Sequence, residues 1–92
     1  MQQIALIVNL TAGFGKCRRK YPEVMASLER QNVKTKNFFT ERRGHGEELA
    51  RQAVREGFGV IVSMGGDGTL NEVVNGIAGS QATLGCLSLI HI

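Results

Sequence analysis

Only two cysteines occur among the 92 residues, Cys17 and Cys86. They form no C-x-x-C pair and have no histidine at metal-ligand spacing, which excludes a zinc site and a disulfide framework and fits a reducing, cytoplasmic setting. Long apolar runs are missing too. The longest, residues 4–8, is too short to span a bilayer, and no basic segment leads into a longer apolar core at the N-terminus, so any membrane contact is expected to be peripheral. The chain has no internal repeat, linker or low-complexity tract.

Two familiar phosphate-binding motifs are likewise absent. The pattern G-x-x-x-x-G-K-[ST] fails because Cys17 follows Gly15-Lys16 and Leu10 stands where the first glycine belongs. The dinucleotide fingerprint G-x-G-x-x-G fails twice: Gly66-Asp-Gly68 is followed by Asn71, and Gly13-Phe-Gly15 by Arg18. A nicotinamide-dependent dehydrogenase is therefore disfavoured.

What remains is ordinary globular composition. A hydrophobic share of 42% and a charged share of 21% suggest neither disorder nor a fibrous repeat, and 92 residues suffice for one small domain with a marginal core. The net charge of +3 is carried mainly by Lys16, Arg18, Arg19, Lys20, Lys34, Lys36, Arg42 and Arg43. That excess suits a phosphate-bearing ligand or an acidic membrane surface, although such basic clusters are more often solvated faces; a nucleic-acid partner is not expected.

Periodicity supplies the elements. Residues 4–8 are continuously apolar and branched, the pattern of a strand buried on both faces of a parallel sheet. Tyr21, Met25 and Leu28 recur at helical spacing, with Pro22 suited to a first turn. Residues 33–39 alternate weakly as a second, less buried strand ending at Thr40. Residues 44–56 predict a helix with Leu49, Ala50, Ala53 and Val54 on one face, Glu47 and Glu48 in the first turn, and Gly57 as its stop. Residues 60–64 form a third strand. Leu70, Val73, Val74, Ile77 and Ala78 then fit a core-facing helix closed near Gly76 or Gly79, and residues 82–90 a fourth strand. This alternation implies a parallel α/β sheet whose ligands bind beyond the carboxyl ends of the strands, where both glycine-rich segments fall.

The segment Gly65-Gly-Asp-Gly-Thr69 has its own chemistry. Its glycines let a bulky ligand approach the backbone, and their N–H groups can converge on phosphate oxygens. Thr69-Leu-Asn-Glu72 fits a capping box, Thr69 as N-cap and Glu72 three residues on, which would aim a helix N-terminus at the same place. Asp67 is the one acid between residues 57 and 71. Beside an anion it makes sense as a turn residue, as a partner of a divalent cation, or as a proton acceptor. His45, between two glycines at a helix entrance, fits a turn residue better than a catalyst.

Three separated stretches resemble the catalytic domain of the diacylglycerol kinase family, which includes bacterial diacylglycerol and related lipid kinases and the sphingosine kinases. They are "IVNLTAGFGK" at 7–16, "TERRGHGEELARQA" at 40–53 and "GGDGTLNEVVNG" at 65–76, in the family's order and spacing. The G-G-D-G-T element alone is shared with NAD kinases and phosphofructokinases. The resemblance implies a three-layer, Rossmann-like N-terminal kinase domain, incomplete in this chain. It implies ATP-dependent phosphoryl transfer to a lipid alcohol, with ATP and Mg²⁺ as cofactors and no metal ligand assigned in this chain. Carried over by position, Asn9, Leu10, Thr11, Ala12 and Gly13 lie against the nucleotide and Thr40 contributes from the second strand. Gly65, Gly66, Asp67, Gly68, Thr69, Leu70, Asn71 and Glu72 wrap the phosphates. Asp67 is the candidate catalytic residue, organising the metal and phosphate region or assisting the acceptor hydroxyl.

Two departures stand out. Leu10 replaces the proline of the family's usual Asn-Pro, and residues 86–92 do not continue into its Pro-x-Gly-Thr-x-Asn-Asp-like loop. Residues 1–85 are accordingly expected to be the nucleotide-binding part of a longer kinase, residues 86–92 a truncated or non-native end, and the 92-residue chain inactive alone. The alternatives are a NAD kinase-like enzyme and a non-catalytic nucleotide-binding module.

Overall fold

The computed structural model describes residues 2–88. Four strands, β1 (Gln2–Val8), β2 (Val33–Phe39), β3 (Val60–Gly65) and β4 (Thr83–Ser88), alternate with three helices, α1 (Lys16–Arg30), α2 (His45–Arg55) and α3 (Asp67–Ile77). All pairings are parallel, in the order β2-β1-β3-β4, with Ala5 opposite Ile61 and Val8 opposite both Phe39 and Met64. This is the α/β fold that the alternation predicts. Parallel strands need crossovers, and the crossovers cover both faces of the sheet with helices.

The apolar run of β1 divides between those faces because successive side chains point opposite ways. Ile4, Leu6 and Val8 pack with Cys17 and Val24 of α1, whereas Ala5 and Ile7 pack with Ala50 and Ala53 of α2 and Val73 of α3. Three layers result. The expected fourth strand over 82–90 is observed over Thr83–Ser88, with residues 86–88 paired to residues 63–65; residues 89–92 lie outside the described residues.

Helix α1 begins at Lys16, five residues before the apolar spacing starts at Tyr21. Gly15, left-handed at φ 88, turns the chain into the helix, so the basic run is helical rather than loop. Pro22 consequently lies inside the helix. Its missing N–H deprives the Arg18 carbonyl of its helical partner, at a place where Arg18 and Pro22 are both exposed to solvent.

Helix α3 corrects the expected capping and facing. It starts at Asp67 with Gly66 as N-cap, so Thr69 is already inside it, and no side chain among the described residues caps it. Its buried stripe is Thr69, Val73 and Gly76, while Val74 is 41% exposed and Ala78 is also exposed. Gly76 explains the rotation. A Cβ there would sit 2.6 Å from both the Ala50 Cβ and the Glu47 carbonyl oxygen of α2, so the two helices meet over a residue with no side chain. Gly76 is a packing position, and the left-handed turn after the helix falls at Gly79 (φ 80).

Candidate functional site

The connection leaving β1 reaches β2 on one side, and the connection leaving β2 returns past β1 to β3 on the other. Beyond the carboxyl ends of β1 and β3 the loops diverge and leave a crevice, the usual ligand position in open α/β sheets. Three segments that are distant in sequence meet there.

Asn9 organises the first. Its N–H donates to the Met64 carbonyl at 2.9 Å, tying the loop to β3. Its Oδ1 accepts the Thr11 N–H at 3.2 Å and the Thr11 hydroxyl at 2.8 Å, a local Asx turn. Its Nδ2 donates to Thr69 Oγ1 at 3.3 Å and bridges to α3. Thr69 is 5% exposed because α3 folds back tightly on the end of β3: a Cβ at Gly65 would lie 2.6 Å from its Oγ1. Thr40 follows β2, its N–H donating to the Val8 carbonyl at 2.8 Å.

The side chain of Glu72 does not close a capping box with Thr69. The helix starts two residues before Thr69, which places Glu72 in the second turn, facing α2. Its Oε2 accepts the Gly44 N–H and its Oε1 the Gly46 N–H, each at 2.9 Å. Glu72 thus caps the neighbouring helix, where its negative charge meets the positive end of the α2 dipole. Gly44 at φ 84 is the N-cap of α2 and has no side chain of its own to use. His45 braces the same turn by accepting the Glu41 N–H on Nδ1 at 2.9 Å.

The resulting cleft encloses about 360 Å³. Six of the residues expected from sequence line it: Asn9, Thr11, Thr40, Gly68, Thr69 and Glu72. Sequence reading did not place Glu41, Arg42 and Arg43 in its wall, although they directly follow β2 at the functional edge of the sheet. Hydrogen bonding to Glu48 raises the Arg42 pKa above its usual value, and the same bond lowers that of Glu48. Among the described residues Arg43 has no carboxylate partner.

The other expected residues lie elsewhere. Leu10 and Ala12 pack against the α1-side core, so any share they have in the site is through their backbone. Gly13 is in the turn at φ 66. Gly65, Gly66, Leu70 and Asn71 support the start of α3 without entering the wall. Asp67 is exposed at the first residue of α3, adjoining Gly68.

Hydroxyls, an amide, guanidinium groups and the start of a helix suit a polyol bearing several negative charges. Among the described residues no group of three or more His, Cys, Asp or Glu side chains comes together. Asp67, beside Gly68, and Glu41 in the wall each offer a carboxylate of the kind Mg²⁺ takes alongside water and phosphate oxygens.

Comparison with known proteins identifies the family and the fold. The diacylglycerol kinase catalytic domain pattern matches residues 3–89. A diacylglycerol kinase of Staphylococcus haemolyticus (strain JCSC1435) is 44% identical over 73 residues, which are 79% of this chain and 22% of that one. A diacylglycerol kinase of Staphylococcus aureus (strain MRSA252) is 41% identical over 73 residues, covering 79% and 23% respectively. The chain thus spans less than a quarter of the length of these relatives. In fold it is similar to the crystal structure of a diacylglycerol kinase from Bacillus anthracis str. Sterne, with a TM-score of 0.68 at 24% identity, over 92% of this chain and 32% of that one.

Proposed function

This chain belongs to the diacylglycerol kinase catalytic domain family, and from that membership we propose that it supplies the nucleotide side of an ATP-dependent lipid kinase. Residues 1–85 hold ATP in the cleft beyond β1 and β3, and the acceptor is a lipid alcohol such as diacylglycerol, bound largely by residues outside this chain. The supporting observation is the convergence of Asn9, Thr40 and Thr69 with Arg42 and Arg43 around one polar cleft at the switch point of the sheet.

Phosphoryl transfer asks a protein mainly for positioning and charge stabilisation. The backbone of residues 9–13 bounds the nucleotide, the Thr40 and Thr69 hydroxyls orient it, and the N–H groups at the start of α3 face its phosphates. Arg43 adds positive charge at the same wall. As the acceptor oxygen bonds to the γ-phosphorus, the bond to the leaving ADP oxygen breaks and the hydroxyl proton passes to a base, for which Asp67 is the candidate in this chain. If Asp67 instead helps hold the Mg²⁺ bound with the nucleotide, the ion would supply charge neutralisation and another group would take the proton. A lipid acceptor would bring the protein to the membrane surface from the cytoplasm. Among the described residues no helix is long and apolar enough to cross a membrane.

Two measurements test this reading. Titration of the 92-residue chain with a fluorescent ATP analogue should show saturable binding that unlabelled ATP displaces. The full gene product should move labelled phosphate from ATP to at least one lipid in a panel of diacylglycerol, sphingosine and monoacylglycerol, and Asp67→Ala should abolish transfer. Phosphorylation of NAD and of no lipid would overturn the assignment, and binding without transfer to any acceptor would favour a non-catalytic module.

A further inference from the structure

The geometry points to Glu72 as a positioning residue: from α3 it clamps the turn of residues 41–46 and thereby places Arg43 in the wall of the cleft. This rests on the nucleotide site proposed above. Both carboxylate oxygens are engaged with backbone amides of that turn, Oε2 with Gly44 and Oε1 with Gly46, at 2.9 Å each. A ligand would have to share those oxygens or break the bonds. The fit is close as well, since a Cβ at Gly46 would lie 2.7 Å from Oε1.

The two guanidinium groups of the wall depend on the turn differently. Arg42 is anchored by its own side chain to Glu48 on the exposed face of α2. Arg43 has no such anchor among the described residues, so its position follows the backbone of the turn. Among the described residues two side-chain clamps hold that backbone, beside the His45 N–H that donates to the Arg42 carbonyl at 3.1 Å. His45 acts locally through the Glu41 N–H, whereas Glu72 reaches across from the helix that opens with Gly66 and Asp67. Glu72 therefore makes the cation and the helix start one unit, and a displacement of α3 carries Arg43 with it.

Glu72→Gln keeps size and one acceptor but presents an NH₂ group to one of the two amides, so one hydrogen bond is lost. In the ligand-free 92-residue chain, exchange of at least one of the Gly44 and Gly46 amides should accelerate about tenfold or more, as expected for losing a bond to a charged acceptor. ATP and ADP affinity should fall about tenfold while adenosine affinity holds, and Arg43→Ala should show the same split. The double variant should bind ATP no more weakly than Arg43→Ala alone, because the two residues act through one contact.

Additive losses, or equal weakening of adenosine and ATP with unchanged amide exchange, would overturn the inference and make Glu72 a direct nucleotide contact. If E72Q does not fold, Gly46→Ala displaces the carboxylate from the other side and should reproduce the phosphate-dependent loss; unchanged ATP affinity in that variant would refute the clamp. Failure of the wild-type chain to bind ATP would sink the proposed function, while the amide-exchange comparison would still decide whether Glu72 holds the turn.

Discussion

Gly76→Ala should destabilise the chain even though alanine is the better helix former. The substitution gains about 1 kcal/mol of helix propensity. Against this, the new Cβ would lie 2.6 Å from the Ala50 Cβ and 2.6 Å from the Glu47 carbonyl oxygen. Carbon contacts settle at about 3.5–4.0 Å, so α2 and α3 must separate by about 1 Å. Neither obstacle can swing aside, since one is fixed directly to the backbone and the other belongs to it. Overpacking of this kind costs about 1–3 kcal/mol, and here it also strains the core of Ala50, Ala53 and Val73. The net is a loss of up to about 2 kcal/mol, which lowers the Tm of a domain this size by up to roughly 15 °C. Gly68→Ala is the control. It too is helical, and its added Cβ meets nothing within 4 Å, so the propensity gain is unopposed and the Tm should rise by a few degrees. Thermal melts of the three proteins by circular dichroism read both signs at once. A Gly76→Ala protein melting at or above wild type would refute the claim that close helix contact requires this glycine.

Further outcomes follow from the surface and the core. Hydrogen bonds from Arg42 and from Lys36 hold the Glu48 and Glu56 carboxyls below the ordinary 4.5. A carboxyl lowered in the folded state stabilises fully above its unfolded value and loses that contribution as pH falls through the folded value. Urea midpoints should therefore decline below pH 4.5, and the Glu48→Gln/Glu56→Gln double variant should show a flatter acid limb. Cys86 is exposed and should react with a thiol reagent in the native protein. Cys17 is buried, with its thiol pKa pushed up by burial, and should react only as the chain unfolds, which urea-dependent labelling measures. Among the described residues the buried Asn37 Oδ1 has no partner, while its Nδ2 donates to the Tyr21 hydroxyl at 2.7 Å. Asn37→Val should stabilise by about 1 kcal/mol in urea melts, because the desolvated oxygen is removed and Tyr21 retains water. A loss of stability would mean that the Tyr21 bond outweighs the orphan oxygen.

The buried strands were legible because residues 4–8 and 60–64 offer no polar face, and that property requires helices on both sides of the sheet. Helix α2 was also legible, its apolar stripe and glycine boundaries agreeing on one span. The start of α1 was not, since charged residues carry no apolar period and the deciding turn at Gly15 is conformational. For α3, apolar spacing favoured Val74 over Gly76, whereas packing chose the residue that lets two helices approach. The same limit applied at the site. A Thr-x-x-Glu pattern describes a local cap, but Glu72 accepts from two backbone N–H groups 26 and 28 residues away, which no short pattern can register. Arg42 and Arg43 read as solvated charge until the end of β2 located them.

The bridge between Asn9 and Thr69 spans 60 positions of chain, and so carries a kinetic consequence. Such a contact can form only after the sheet has brought β1 beside β3, when the entropy of closing that long loop has already been spent. The cleft is therefore an outcome of folding and no part of its nucleus. In stopped-flow experiments Asn9→Ala should leave the refolding rate nearly unchanged and speed the unfolding limb, the pattern of a contact absent from the transition state. Substitutions in this cleft alter how long the folded chain survives more than how quickly it is reached.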